Sequence, residues 1–140
     1  MANNEGLGGG EFGPVIYGYS RADAVADGVL IDVSAMAREA GFKWPVAMTT
    51  AVWEDCVAWS QDDSARQTPQ DEEGRLWDVL CMAAHAIRTA PDAREQQSFV
   101  LLRVPRDERT TVAIFVTLKL WVGPGDDGEP VVTVLLPNED

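Results

Sequence analysis

Apolar and polar positions change rhythm near residue 95 of the 140-residue chain. Before that point apolar residues recur every three or four positions, the helical period; after it they alternate or run together, the period of strands. In the first half, VIYGYS predicts an opening strand, and SRADAVADG predicts a short helix. Ser20 and Asp23 are spaced as a capping box, and Gly28 is placed to end that helix. VLIDV reads as a second strand or buried extended segment, Ser34 as the cap of a helix over AMAREA, and Gly41 as its stop. Pro45, Thr49 and Thr50 lead into a third helix from Ala51 to Trp59, whose apolar face is Val52, Cys56 and Trp59. SQDDSARQTPQDEEG is polar throughout and reads as a loop ending at Gly74. RLWDVLCMAAHAIRTA gives the longest helix, with Leu76, Leu80, Ala84 and Ile87 as its stripe and Trp77 and Cys81 beside it, ended by Pro91.

The second half holds three runs of strand composition, SFVLLRV, TVAIFVTLKLWV and VVTVLL, joined by short polar connections. In the middle run Val112, Ile114, Val116, Leu118 and Leu120 share one face. Connections this short make neighbouring strands antiparallel, so the runs form a three-strand meander, and the long helix is the natural cover for its apolar face. The predicted fold is α+β, a helical N-terminal half packed on a mostly antiparallel sheet. Residues 1–13, with Gly6, Gly8, Gly9 and Gly10, read as a flexible tail, and residues 14–140 as a single domain.

Composition narrows the function classes. Eleven basic residues against twenty-three acidic ones give a formal charge of −12. Direct nucleic-acid binding needs clustered Lys and Arg, so this balance disfavours it, and anionic membrane surfaces with it. No apolar stretch reaches the length of a membrane span, and the N-terminus lacks the pattern of a signal peptide, so a cytoplasmic location is expected. The two cysteines then read as reduced thiols.

Catalytic and metal chemistry finds little support. His85 is the single imidazole, with Cys81 one turn before it, but Asp78 lies about 10 Å along the axis from His85 and does not orient it. Cys56, Cys81 and His85 would give zinc three ligands, with a fourth borrowed from Asp78 or Glu54, yet no closely spaced ligand pair exists. GLGGGEFG lacks the lysine and preceding strand of a phosphate loop, and GDDGE, with Asp126, Asp127 and Glu129, reads as a hairpin turn before it reads as a cation loop. No cofactor is therefore expected.

One feature competes with its structural explanation. Between Glu54 and Asp78 stand eight carboxylates against two arginines, a net −6, half the charge of the whole chain. Asp62, Asp63, Asp71, Glu72 and Glu73 fall in the predicted loop, beside Trp59 and Trp77. Such a patch selects basic surfaces and raises on-rates. Trp59, Asp62, Asp63, Asp71, Glu72 and Glu73 are the candidate partner-binding residues.

FGPVIYGYSRADAVADGVLIDVS, PVAMTTAVWEDCVAW, QDEEGRLWDVL and GPGDDGEPVVTVLLP together resemble an uncharacterised domain family of small bacterial proteins encoded on plasmids and integrative elements. The resemblance runs from Phe12 to the C-terminus and implies a mobile-element setting, in which small acidic proteins block host or defence machinery. VIYGYSRADAVADGVL is also similar in outline to the first motif of ADP-ribosyltransferase-like domains, without that motif's histidine. The leading expectation is a non-enzymatic interaction protein, an anti-defence or regulatory factor that occupies a basic, nucleic-acid-binding protein surface. The alternatives are an ADP-ribosyltransferase-like or other small-molecule or nucleotide-dependent transferase, using Tyr17, Tyr19 and Arg21 with a carboxylate from the helical half, and a structural or dimerising domain using an exposed sheet edge.

Overall fold

A computed structural model describes residues 19–90 and 95–140. The Gly-rich tail, most of the predicted opening strand with Tyr17, and Pro91 lie outside the described residues. The elements run α1 (Arg21–Ala26), β1 (Leu30–Asp32), α2 (Ser34–Glu39), β2 (Val46–Thr49), α3 (Thr50–Val52), a π-helical turn (Trp53–Val57), α4 (Gln61–Arg66), α5 (Glu72–Thr89), β3 (Gln96–Arg103), β4 (Ile114–Pro124) and β5 (Pro130–Leu135). The α+β class expected from the pattern is what forms.

The C-terminal meander is present, with β3 antiparallel to β4 and β4 antiparallel to β5. It is part of a larger sheet. β2 adds parallel to β5, with Val46 opposite Val132, and β1 adds antiparallel to β2, giving the order β1-β2-β5-β4-β3. β2 replaces what the sequence reads as the lead-in to the third helix. VAMT is buried at every position, so it carries no alternation to mark it as a strand.

One face of the sheet is covered by α5 and the turns around it. Val79, Leu80, Ala83 and Ala84 of α5 join Phe99, Leu101, Leu118, Leu120, Val132 and Val134 in the main core. On the other face α1 covers the β1–β2 end, where Ala24 meets Leu30 and Ala47. Trp121, Val131 and Leu135 form a third small cluster.

Local chemistry explains most boundaries. Ser20 and Asp23 make the expected capping box of α1, and Gly28 follows it at φ 78°, the left-handed region that glycine adopts without cost. Ser60 and Asp63 make a second, reciprocal box that starts α4 inside the segment expected to be a loop. α5 begins at Glu72, with Asp71 accepting from the Gly74 amide, so Gly74 lies in the first turn instead of ending the loop. Ser34 does not cap α2; it is the first helical residue, and its hydroxyl bridges Asp32 and the Val46 backbone. The third helix ends in a π turn at Val57, leaving Trp59 beyond it.

Four side chains depart from the expected packing. Trp77 and Ile87 sit 39% and 37% exposed on the outer face of α5, because the true stripe is centred on Val79, Leu80 and Ala83. Of the five residues expected on the covered face of the middle strand, only Val116, Leu118 and Leu120 join the main core; Val112 precedes β4, and Ile114, its first residue, is exposed.

Candidate functional site

The acidic segment is divided by its own arginines. Asp63 is buried, bonded to the Ser60 amide at 2.8 Å and to Arg106 Nε at 2.7 Å. Burial alone would raise its pKa, but the bonds from Ser60 and Arg106 outweigh it and hold the carboxyl below its usual value. Asp62 pairs with Arg66 at 3.0 Å, Asp55 with Arg103 at 3.1 Å, and Glu54 with Arg106 at 3.9 Å. Two of these arginines come from the β3–β4 side, which the one-dimensional charge count did not include. Among the described residues no ion pair takes up Asp71, Glu72, Glu73 or Asp78.

Trp59 is a core residue. It is 6% exposed, its indole N–H donates to Ser64 Oγ at 3.1 Å, and the Arg75 guanidinium lies 4.5 Å from its ring centroid. It offers a partner nothing in this conformation. The structure thus separates the six candidate residues. Trp59 and Asp63 serve the fold, Asp62 is exposed but paired, and Asp71, Glu72 and Glu73 stand exposed together at the start of α5. Asp71 accepts the capping bond at 2.7 Å, and Glu72 accepts from the Trp59 amide at 3.3 Å. Carboxylates at a helix N-terminus also gain from its dipole, so local stability accounts for part of their presence.

What lies next to them was not foreseen. One turn beyond Glu73, the outer face of α5 turns apolar at Trp77 and continues through Cys81 and Met82. These three, with Asp78, form one wall of a groove of about 370 Å³; the other wall is Val100, Leu102 and Phe115. Phe115 is 73% exposed and Leu102 51%. Burial raises the Asp78 pKa, an effect that Arg75 partly offsets.

Arg75 is the least expected group near the site. It is buried and donates to the backbone oxygens of Val57 and Val104 and to Gln70 Oε1, tying the π turn, the end of β3 and the α4–α5 connection together. Its Nη2, and Nε and Nη1 of Arg103, are enclosed without a hydrogen-bond partner among the described residues. Cys56 beside them is buried, and its thiol is pushed up to about 12, by burial first and then by the Asp55 charge, so it stays neutral.

The enzyme alternatives meet committed side chains. The Arg21 guanidinium donates to Thr133 Oγ1 and the Val132 carbonyl, both at 2.7 Å. Tyr19 packs against Ala24, Leu30 and Ala47. GDDGE forms the β4–β5 turn, and Asp126 accepts from the Arg21 and Ala22 amides at 2.7 and 3.0 Å, fixing the start of α1. Among the described residues no three His, Cys, Asp or Glu side chains converge as a metal ion requires. Nor is any described helix long and apolar enough to cross a membrane.

No curated protein and no solved structure matches the chain. A match over residues 10–140 places it nonetheless: the chain belongs to a family of unknown function, DUF6573.

Proposed function

We infer that the protein is a small acidic interaction protein whose partner presents a basic, nucleic-acid-binding surface, acting in the cytoplasm as an anti-defence or regulatory factor of a mobile element. One observation carries this reading. Asp71, Glu72 and Glu73 are exposed, have no ion pair among the described residues, and run along α5 directly into the exposed apolar residues Trp77 and Met82. Binding surfaces join an apolar centre to a polar rim in this way, and aromatic and methionine side chains are enriched in such centres. The rim charge steers a basic partner, and the apolar face holds it. The mobile-element setting rests on the family resemblance of the sequence motifs.

The test is capture from a host lysate by the immobilised protein at low and high salt, repeated with Asp71→Asn, Glu72→Gln, Glu73→Gln. Asn keeps the N-cap of α5, so the triple variant retains the helix start while giving up the dipole stabilisation of its charges, about 0.3–1 kcal/mol each. A basic protein retained at low salt, released at high salt and lost with the triple variant supports the reading. Equal retention by both forms removes the acidic cluster from the account.

A further inference from the structure

β3 is an eight-residue strand at the end of the sheet, and among the described residues nothing pairs with its outer side. In an antiparallel pair, alternate residues of an edge strand turn their N–H and C=O groups away from their neighbour. Among the described residues the outer edge of β3 is therefore a row of backbone donors and acceptors without a strand partner. Natural edge strands are normally kept short, or are charged, proline-bearing, guarded by an inward-pointing charge or covered. β3 carries one such device, the inward-pointing Arg103 at its end, which pairs with Asp55; residues 96–102 hold no charge and no proline, and among the described residues nothing covers that edge.

The groove described above runs along that edge. Its two walls belong to opposite faces of the sheet. Trp77, Asp78 and Met82 stand on the face that α5 covers, while Val100 and Leu102 of β3 and Phe115 of β4, opposite Leu102, stand on the open face. A strand added to β3 projects its side chains alternately towards these two walls. Those on the open face extend the Val100–Leu102–Phe115 patch and must be apolar. Those on the α5 face lie beside Trp77 and Met82, with carboxylates at Asp78 and, one turn back, Glu73. Lys and Arg fit that wall, since their stems cover apolar surface and their charges reach the carboxylates or the indole face.

We propose that β3 is a docking edge for an extended segment of the partner in which basic and apolar residues alternate, added as a sixth strand. The inference rests on the partner reading above and specifies how that partner is held. Charge complementarity selects this occupant over a second copy of the chain, because two molecules of net charge −12 repel as they approach.

Three nine-residue peptides test it against the full-length protein, with binding followed by calorimetry and by backbone amide shifts. One alternates Lys with Leu, one Lys with Ser, and one Glu with Leu. The Lys/Leu peptide is expected to bind saturably, to shift and protect amides of β3, and to leave the other edge strand, β1, unchanged. The Lys/Ser peptide should bind about tenfold more weakly or worse, and the Glu/Leu peptide should not bind. Leu102→Ser with Phe115→Ser, both at exposed positions, should weaken the Lys/Leu peptide by a similar factor while the melting temperature holds. If Lys/Ser binds as tightly as Lys/Leu, or the shifts confine themselves to the start of α5, the partner reading stands and the docking edge falls. If neither Lys peptide binds, both fall. Dimerisation through β3 in sedimentation would give the edge to a second copy and overturn the proposal.

Discussion

Leu80 carries the most direct test of the packing. It is fully buried between α5 and the sheet, so Leu80→Ala should cost about 2–5 kcal/mol in chemical denaturation, the range of buried leucine truncations. A loss under about 1 kcal/mol would mean that this face of α5 is not the core face. Cys56 carries a pH signature. Its folded pKa lies near 12, well above that of an unfolded thiol, so the unfolded chain gives up this proton first. The stabilisation from keeping the thiol neutral is therefore complete below the unfolded pKa and lost as pH rises towards 12, at no more than about 1.4 kcal/mol per pH unit. Comparing urea midpoints at pH 8 and 10 for the wild type and Cys56→Ala checks it; the variant should show the shallower decline. Arginines, by contrast, were poorly legible in the sequence. Arg75 lies one turn before Val79 and Arg103 two positions after Leu101, so both stand on apolar stripes, the one signal available for a buried cation. A guanidinium at the end of an apolar stripe looks like its polar boundary until tertiary contacts from Val57 and Val104 enclose it.

At the scale of elements, what could be read was whatever local chemistry determines. The Ser20 capping box, Gly28 and the alternation of β3–β5 are nearest-neighbour signals. β2 was missed because a strand buried on both faces looks like any apolar run, and α4 because a six-residue helix is outweighed by the polar composition around it. The loop between β3 and β4 shows how such pieces are held. Gln67, at the end of α4, donates to the Pro105 and Thr110 carbonyls at 2.7 and 2.6 Å and accepts from the Glu108 amide at 3.0 Å. Gln67→Ala leaves those groups unpartnered and should destabilise the fold by about 1–3 kcal/mol, with faster amide exchange at Glu108 as the local readout. Asp107 organises the same loop. The Thr110 hydroxyl, then the Thr110 and Arg109 amides, pull its pKa down to about 2. A carboxylate with a depressed folded pKa stabilises above its unfolded pKa and loses that contribution as pH falls towards 2. The melting temperature of Asp107→Asn should therefore fall less steeply between pH 5 and pH 2 than that of the wild type, and parallel slopes would remove this loop from the acid response.

At the scale of the whole molecule, charge is where sequence and structure diverge. The sequence counts six excess negative charges in one segment; in space Arg66, Arg103 and Arg106 pair with four of its eight carboxylates, and Trp59 goes into the core. The surviving exposed cluster is narrower, and its apolar neighbour is formed by residues up to about forty positions away, a proximity no local pattern encodes. If this cluster steers a basic partner, the rate of association must depend on it. Once the partner is in hand, the on-rate is measured at two salt concentrations for the wild type, for Asp71→Asn, Glu72→Gln, Glu73→Gln, and for a control that removes three exposed acids elsewhere, Glu39→Gln, Asp127→Asn, Asp140→Asn. Asp126 is left intact because it holds the start of α1. The first variant should associate about tenfold or more slowly at low salt, lose most of its salt dependence and remain folded, losing about 1–3 kcal/mol of stability from the charges at the start of α5, while the control associates nearly as the wild type does. Equal slowing by both triple variants would mean that net charge alone sets the rate, and would contradict the claim that α5 carries the recognition surface.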